Sequence, residues 1–120
     1  MQYNKDIKGK FSDIFIKLRN IFLSYSQIKE IKNAKQTSYH DEYGVIVMMR
    51  DRGDTLVVAF GKGSKLQEKY PCLVGSGKIV RHLHFNTLDE VDEILIREML
   101  EESFILGMES FEMKRLKGIL

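Results

Sequence analysis

Two short apolar runs on either side of a turn tetrapeptide constrain this chain more than any other feature. Gly44-Val45-Ile46-Val47-Met48-Met49-Arg50 is rich in β-branched residues and reads as a central strand. Asp51-Arg52-Gly53-Asp54 follows, with Gly53 able to take the positive φ of a tight reversal. Thr55-Leu56-Val57-Val58-Ala59-Phe60 then returns the chain as the second arm of a hairpin. At 120 residues the chain is long enough for one core and too short for two ordinary domains. Its 43% hydrophobic and 30% charged residues mark a globular domain.

Helices are expected on both sides of the hairpin. Phe11, Ile14, Phe15, Leu18, Ile21, Phe22 and Tyr25 recur at steps of three and four, which predicts a helix over Ser12 to Ser24 with an aromatic core face. Residues 1–10 lack periodicity and read as a flexible lead-in. Gln27 to Tyr39 suits either a helical turn or an exposed edge strand. Gly61 to Ser64 reads as a loop, Gly75-Ser76-Gly77 as a turn, and Lys78 to Phe85 as a strand. Thr87-Leu88-Asp89-Glu90 has the spacing of a capping box, so a second helix is expected to start at Thr87. Its apolar stripe is Leu88, Val91, Ile94, Leu95, Met99 and Leu100, and Gly107 is its expected stop. Residues 108–120 form a separate helical tail through Phe111, Met113, Leu116 and Leu120, free to dock on the core or to meet another subunit.

Charge excludes some functions. A net +2 does not suggest nucleic acid or a membrane surface. The distribution is uneven: residues 1–40 carry a balance of +5 and residues 86–107 one of −6, which reads as helix faces that attract each other. The lone Cys72 cannot form an internal disulfide and suits a reducing cytoplasm. No apolar run approaches the roughly 18 residues of a membrane span, and the N-terminus has no signal-peptide pattern.

Three constellations invite chemistry. Gly75-Ser76-Gly77-Lys78 has the glycines and lysine of a phosphate loop, but a strand follows where such a loop needs a helix, so a structural turn is expected. His82 and His84 alternate onto one face of a strand and could reach one metal, with His40-Asp41-Glu42 adding ligands if that loop folds nearby. Asp89, Glu90, Asp92 and Glu93 offer clustered oxygen ligands for a labile cation. Lys78 and Arg81, three apart on a strand, point to opposite faces and make a poor joint anion clamp. No spacing supports a Cys72–His pair for nucleophilic catalysis.

Leu56-Val57-Val58-Ala59-Phe60-Gly61-Lys62-Gly63 followed by Leu66, then Leu73-x-Gly75-x-Gly77-Lys78 leading to Arg81-His82, with Tyr39 ahead of the hairpin, resembles the YdhG-like family of uncharacterised bacterial proteins. That family is grouped with the frataxin homologue CyaY. The resemblance covers about residues 11–107, taken as one domain. Ala34-Lys35 and Thr37 stand where the family has Trp-Gly and Pro, and Glu68-Lys69 where it has Asp-Pro. The resemblance implies an α+β sandwich, an antiparallel sheet with N- and C-terminal helices packed on one face. It also implies frataxin-like iron or metal handling without catalysis, iron being the possible cofactor. Frataxins carry their acidic ridge on the first helix, which is basic here. The other expectation is a protein- or small-ligand-binding module that uses the exposed sheet face, with Lys78, Arg81, His82 and His84 among its polar groups. A protein partner or a homodimer is compatible with either.

Overall fold

The computed structural model describes residues 1–118. Ten elements follow in order. Helix α1 (Gln2–Asp6) and helix α2 (Ser12–Leu23) lead into strands β1 (Lys29–Lys32), β2 (Thr37–Asp41), β3 (Gly44–Asp51) and β4 (Leu56–Phe60). The short helix α3 (Gly63–Leu66), strand β5 (Arg81–Phe85), a 3-10 turn (Leu88–Glu90) and helix α4 (Glu93–Leu116) complete the chain. The five strands form one antiparallel sheet in the order β1-β2-β3-β4-β5, so the hairpin read from sequence supplies its third and fourth strands.

Strand alternation divides the sheet into two faces. On one face Tyr39, Val47 and Phe60 lie in register across β2, β3 and β4, each fully buried. Thr37, Met49 and Val58 form the next buried row. Helix α2 covers these rows with Ile14, Phe15, Leu18, Ile21 and Phe22, the Phe22 and Tyr39 rings lying 4.9 Å apart. Helix α4 adds Ile96, Met99 and Leu100 to the same core. Full burial of one such aromatic or aliphatic side chain contributes roughly 1.5–3 kcal/mol, so this face sets the sheet's register. The other face presents Ser38, Met48, Ala59 and His82 in one row and Arg50, Val57 and His84 in the next.

Several expectations are corrected. The N-terminal lead-in is helical at Gln2–Asp6 and docked by polar contacts: Gln2 Nε2 donates to Asp6 Oδ1 (2.7 Å) and the Asp51 amide to the same oxygen (3.2 Å). Gln27 to Tyr39 contains the edge strand β1 and most of β2. Gly63–Leu66 is a short helix, and the last strand begins at Arg81 instead of Lys78. The Thr87–Glu90 capping box forms, but it caps the 3-10 turn. Val91 is extended (φ −78°, ψ 103°), and Asp92 caps α4 by accepting from the Leu95 amide at 3.2 Å. Ile94 therefore faces outward, 75% exposed.

Gly107 does not stop the helix, which continues to Leu116, so residues 93–116 are one element and no separate tail begins at 108. Positive φ appears instead at Gly118 (φ +72°), where the helix terminates. The expected tail residue Leu120 lies outside the described residues. Among the described residues, no helix is long and apolar enough to cross a membrane.

Candidate functional site

The glycine signature after α3 is built around Arg81. Its Nε donates to Gln67 Oε1 (2.9 Å), and its Nη1 donates to the Val80 carbonyl (2.9 Å) and to the Gly77 carbonyl. Gln67 Nε2 in turn donates to the Leu73 carbonyl (2.8 Å), and Leu73 is buried. Val74 and His82 exchange both backbone hydrogen bonds, at 2.9 and 2.8 Å. Gly75, at φ +128°, turns the chain away next to the His82 ring, where any Cβ would lie 3.3 Å from Nδ1. Arg81 thus staples the 74–80 loop to α3. Its Nε and Nη1 donors are engaged within this segment, and Lys78 is exposed.

Tyr39 is likewise structural. Its hydroxyl donates to Glu30 Oε2 at 2.9 Å, and Arg19 grips the same carboxylate through Nε (2.7 Å) and Nη2 (2.9 Å). Burial disfavours the Glu30 charge, yet hydrogen bonds from Arg19 and Tyr39 outweigh it and hold the carboxyl below its ordinary range. Burial, then the Glu30 contact, push the Tyr39 phenol upward.

The metal candidates separate in space. The His82 and His84 rings lie 6.2 Å apart on the open sheet face. His40 is on β2, three interstrand spacings from β5, or about 14 Å, so His40-Asp41-Glu42 does not join them. Glu90 accepts the Asn86 and Thr87 amides at 2.7 and 2.9 Å, which lowers its pKa. Glu93 is paired with Arg97 (3.0 Å) and Lys17 (3.6 Å), its pKa lowered chiefly by Arg97. The Lys17–Glu93 contact joins the basic and acidic helices, as the charge distribution suggested. Asp89 is exposed. Glu90, Asp92, His84 and Cys72 do border one depression of about 340 Å³. Among the described residues, however, no group of three or more His, Cys, Asp or Glu side chains is placed to hold a metal ion.

The open sheet face holds what sequence reasoning missed. A shallow concavity of about 500 Å³ has Met48, Val57 and Ala59 in its floor and Lys35, Arg50, Arg52 and His82 around it. No carboxylate lines it. Among the described residues, Lys35, Arg50 and Arg52 make no ion pair, unlike Arg19, Lys17 and Arg97. Four cationic or titratable groups over an apolar floor can receive a negative group and shelter a nonpolar body attached to it. Of the residues singled out from sequence, only His82 borders this concavity; His84 occupies the adjoining row opposite Val57. The missed signal was the pair Arg50 and Arg52, the first on the hairpin's first arm and the second in its turn, which both line this concavity.

Comparison of the chain with protein-family models, with curated proteins and with solved structures finds no match in any of the three.

Proposed function

We propose that the protein is a binding module whose open sheet face takes up a small organic anion with an apolar body. The observation that carries this reading is the concavity lined by Lys35, Arg50, Arg52 and His82 without a carboxylate. A cation left without an internal partner keeps its charge available, and a bidentate arginine contact to a carboxylate or phosphate is among the stronger polar contacts. Phenyl phosphate, inorganic phosphate and phenol make a discriminating probe set for amide-shift titration. Phenyl phosphate is expected to move the Met48, Arg50, Ala59 and His82 signals saturably, phosphate weakly and phenol hardly at all. Loss of one charged contact costs about 1.5–3 kcal/mol, so Arg50→Ala or Arg52→Ala should weaken phenyl phosphate by roughly ten- to a hundredfold. Shifts confined to other parts of the surface, or none, would overturn the assignment.

Likeness to the YdhG-like proteins supports a second reading, frataxin-like iron handling in the cytoplasm. It is favoured only by the meeting of Cys72, His84, Glu90 and Asp92 around one depression, and Glu90 and Asp92 there already accept backbone amides. Anaerobic titration with ferrous iron tests it, and absence of saturable uptake below about 1 mM would exclude it.

A further inference from the structure

We infer that two copies of this chain associate through the C-terminal half of α4, antiparallel across a twofold axis at Met108. Beyond Gly107 no residue of α4 is buried, although the segment is far from uniformly polar. Met108, Phe111, Met113 and Leu116 are exposed there, Leu116 at 73%, and Ile105 just before it. Tyr43, whose ring lies 5.2 Å from that of Phe111, and Ile31 extend the apolar surface onto the β2–β3 turn and the edge strand. A helical stretch of this length gains little stability in isolation, and an apolar surface gathered at one end of a molecule marks an association site.

The occupant is specified by the pattern along the helix. Glu101, Met108 and Arg115 recur at steps of seven and so share one face, flanked by Ile105 and Phe111. Antiparallel pairing about Met108 sets Glu101 opposite Arg115 of the second copy, Ile105 opposite its Phe111, and Met108 against itself. Every contact off the axis is then made twice, and Met108 meets its own copy on the axis, as an isologous interface requires. Parallel pairing would stack like charge on like. A groove of about 580 Å³ runs beside this face, its apolar wall formed by Ile31, Tyr43, Phe104, Ile105 and Met108 and its rim carrying charged residues of β1 and β2. It lies where the last turns of the second copy's helix pass. Arg115 contacts Glu112 of its own helix at 2.8 Å, with both side chains about half exposed, and Glu101 accepts the Tyr25 hydroxyl at 2.8 Å on one carboxylate oxygen; pairing exchanges the Glu112 contact of Arg115 for Glu101 of the other copy.

Sedimentation equilibrium on the full chain, over concentrations up to about 1 mM, reads the association directly. A monomer–dimer equilibrium is expected, weakened by salt because exposed ion pairs are screened. Met108→Glu should abolish the dimer. Arg115→Glu should raise its dissociation constant several-fold, and Glu101→Arg combined with Arg115→Glu should restore it. Circular dichroism confirms that each variant is folded, these side chains being exposed. A monomer at every concentration, which would leave the face to a different partner, overturns the inference. So does a dimer indifferent to Met108→Glu, or one that the charge reversal does not rescue.

Discussion

Gly63→Ala tests whether the glycine signature is a packing device. Gly63 opens α3 directly against the start of β5, and a Cβ there would lie 2.8 Å from the Arg81 Cα, 2.5 Å from its Cβ and closer still to its amide nitrogen. Ordinary carbon contacts need about 3.5 Å, so backbone must retreat by roughly 0.7–1 Å. Overpacking of this kind costs about 1–3 kcal/mol. A shift at Arg81 also disturbs the paired Val74–His82 hydrogen bonds and the Ser64 amide contact to the Ile79 carbonyl (2.8 Å), each worth about 1 kcal/mol. Helix propensity works the other way, favouring alanine by at most about 1 kcal/mol, and loses. The expected destabilisation is about 3 kcal/mol. With a urea slope of roughly 2 kcal/mol per molar, the unfolding midpoint should fall by about 1.5 M. Gly77→Ala is the control, because its nearest neighbour, the Val80 carbonyl oxygen, would be 3.6 Å away. It should stay within about 0.5 kcal/mol of the parent. Equal stability of the two variants would refute the packing account.

Tyr39→Phe removes one hydrogen bond to an ionised, largely buried carboxylate and should cost about 1.5–3 kcal/mol by urea denaturation, towards the lower end because Arg19 still holds Glu30; an unchanged midpoint would remove the hydroxyl from the stability account. Asp6 is 1% exposed, its Oδ2 is unpartnered, and its pKa is raised, mainly by burial, with Asp51 adding to the shift while Gln2, the Asp51 amide and Arg50 oppose it. The folded state therefore holds this proton more tightly than the unfolded one. That stability is complete below the ordinary carboxylate value of 3.8 and is lost as pH rises through the higher folded value. Asp6→Asn should remove this downward slope and stabilise the protein at neutral pH; a slope that survives in urea midpoints taken across the acid range would assign it elsewhere. Gly107→Ala should raise stability by about 0.5–1 kcal/mol, since Gly107 is inside α4 and its added Cβ would meet Tyr43 Cβ at an ordinary 3.7 Å. A fall in melting temperature would show that the packing against Tyr43 cannot take the added methyl group.

Local patterns were legible where one periodicity governed them. The apolar stripe of α2 and the β3–β4 hairpin follow directly from residue spacing. The α4 boundaries were misread because two valid local signals competed. The Thr87–Glu90 capping box is real but caps a single turn, and Asp92 provides a second cap three residues before Leu95. Gly107 is a stop by composition only; it lies inside α4 with room for a Cβ beside Tyr43, while Gly118 takes the left-handed conformation. Helix α1 has no apolar period at all. It is held by the Gln2 amide on the Asn33 carbonyl, the Asp51 amide on Asp6 and the edge-on packing of Tyr3 against Phe15 at 5.6 Å, contacts to parts of the chain distant in sequence.

The cationic face shows why the candidate site was less legible than the fold. Alternation within a strand says that Met48 and Arg50 share a face, but not which face is covered or what lies beside it. Burial of Tyr39, Val47 and Phe60 decides the first question, because a slip of one residue would turn this row to solvent and drive Arg50 and His82 into the core. Pairing decides the second: the same register sets Arg50 beside Val57 and His84, and Ala59 beside His82, while the β1–β2 turn brings Lys35 over them. The cationic face is thus positioned by residues such as Tyr39, Val47 and Phe60 that lie on the opposite face of the sheet. A conservative change in the buried row, such as Val47→Ala, should therefore lower stability and leave phenyl phosphate affinity intact in the folded fraction, whereas Arg50→Ala should do the reverse.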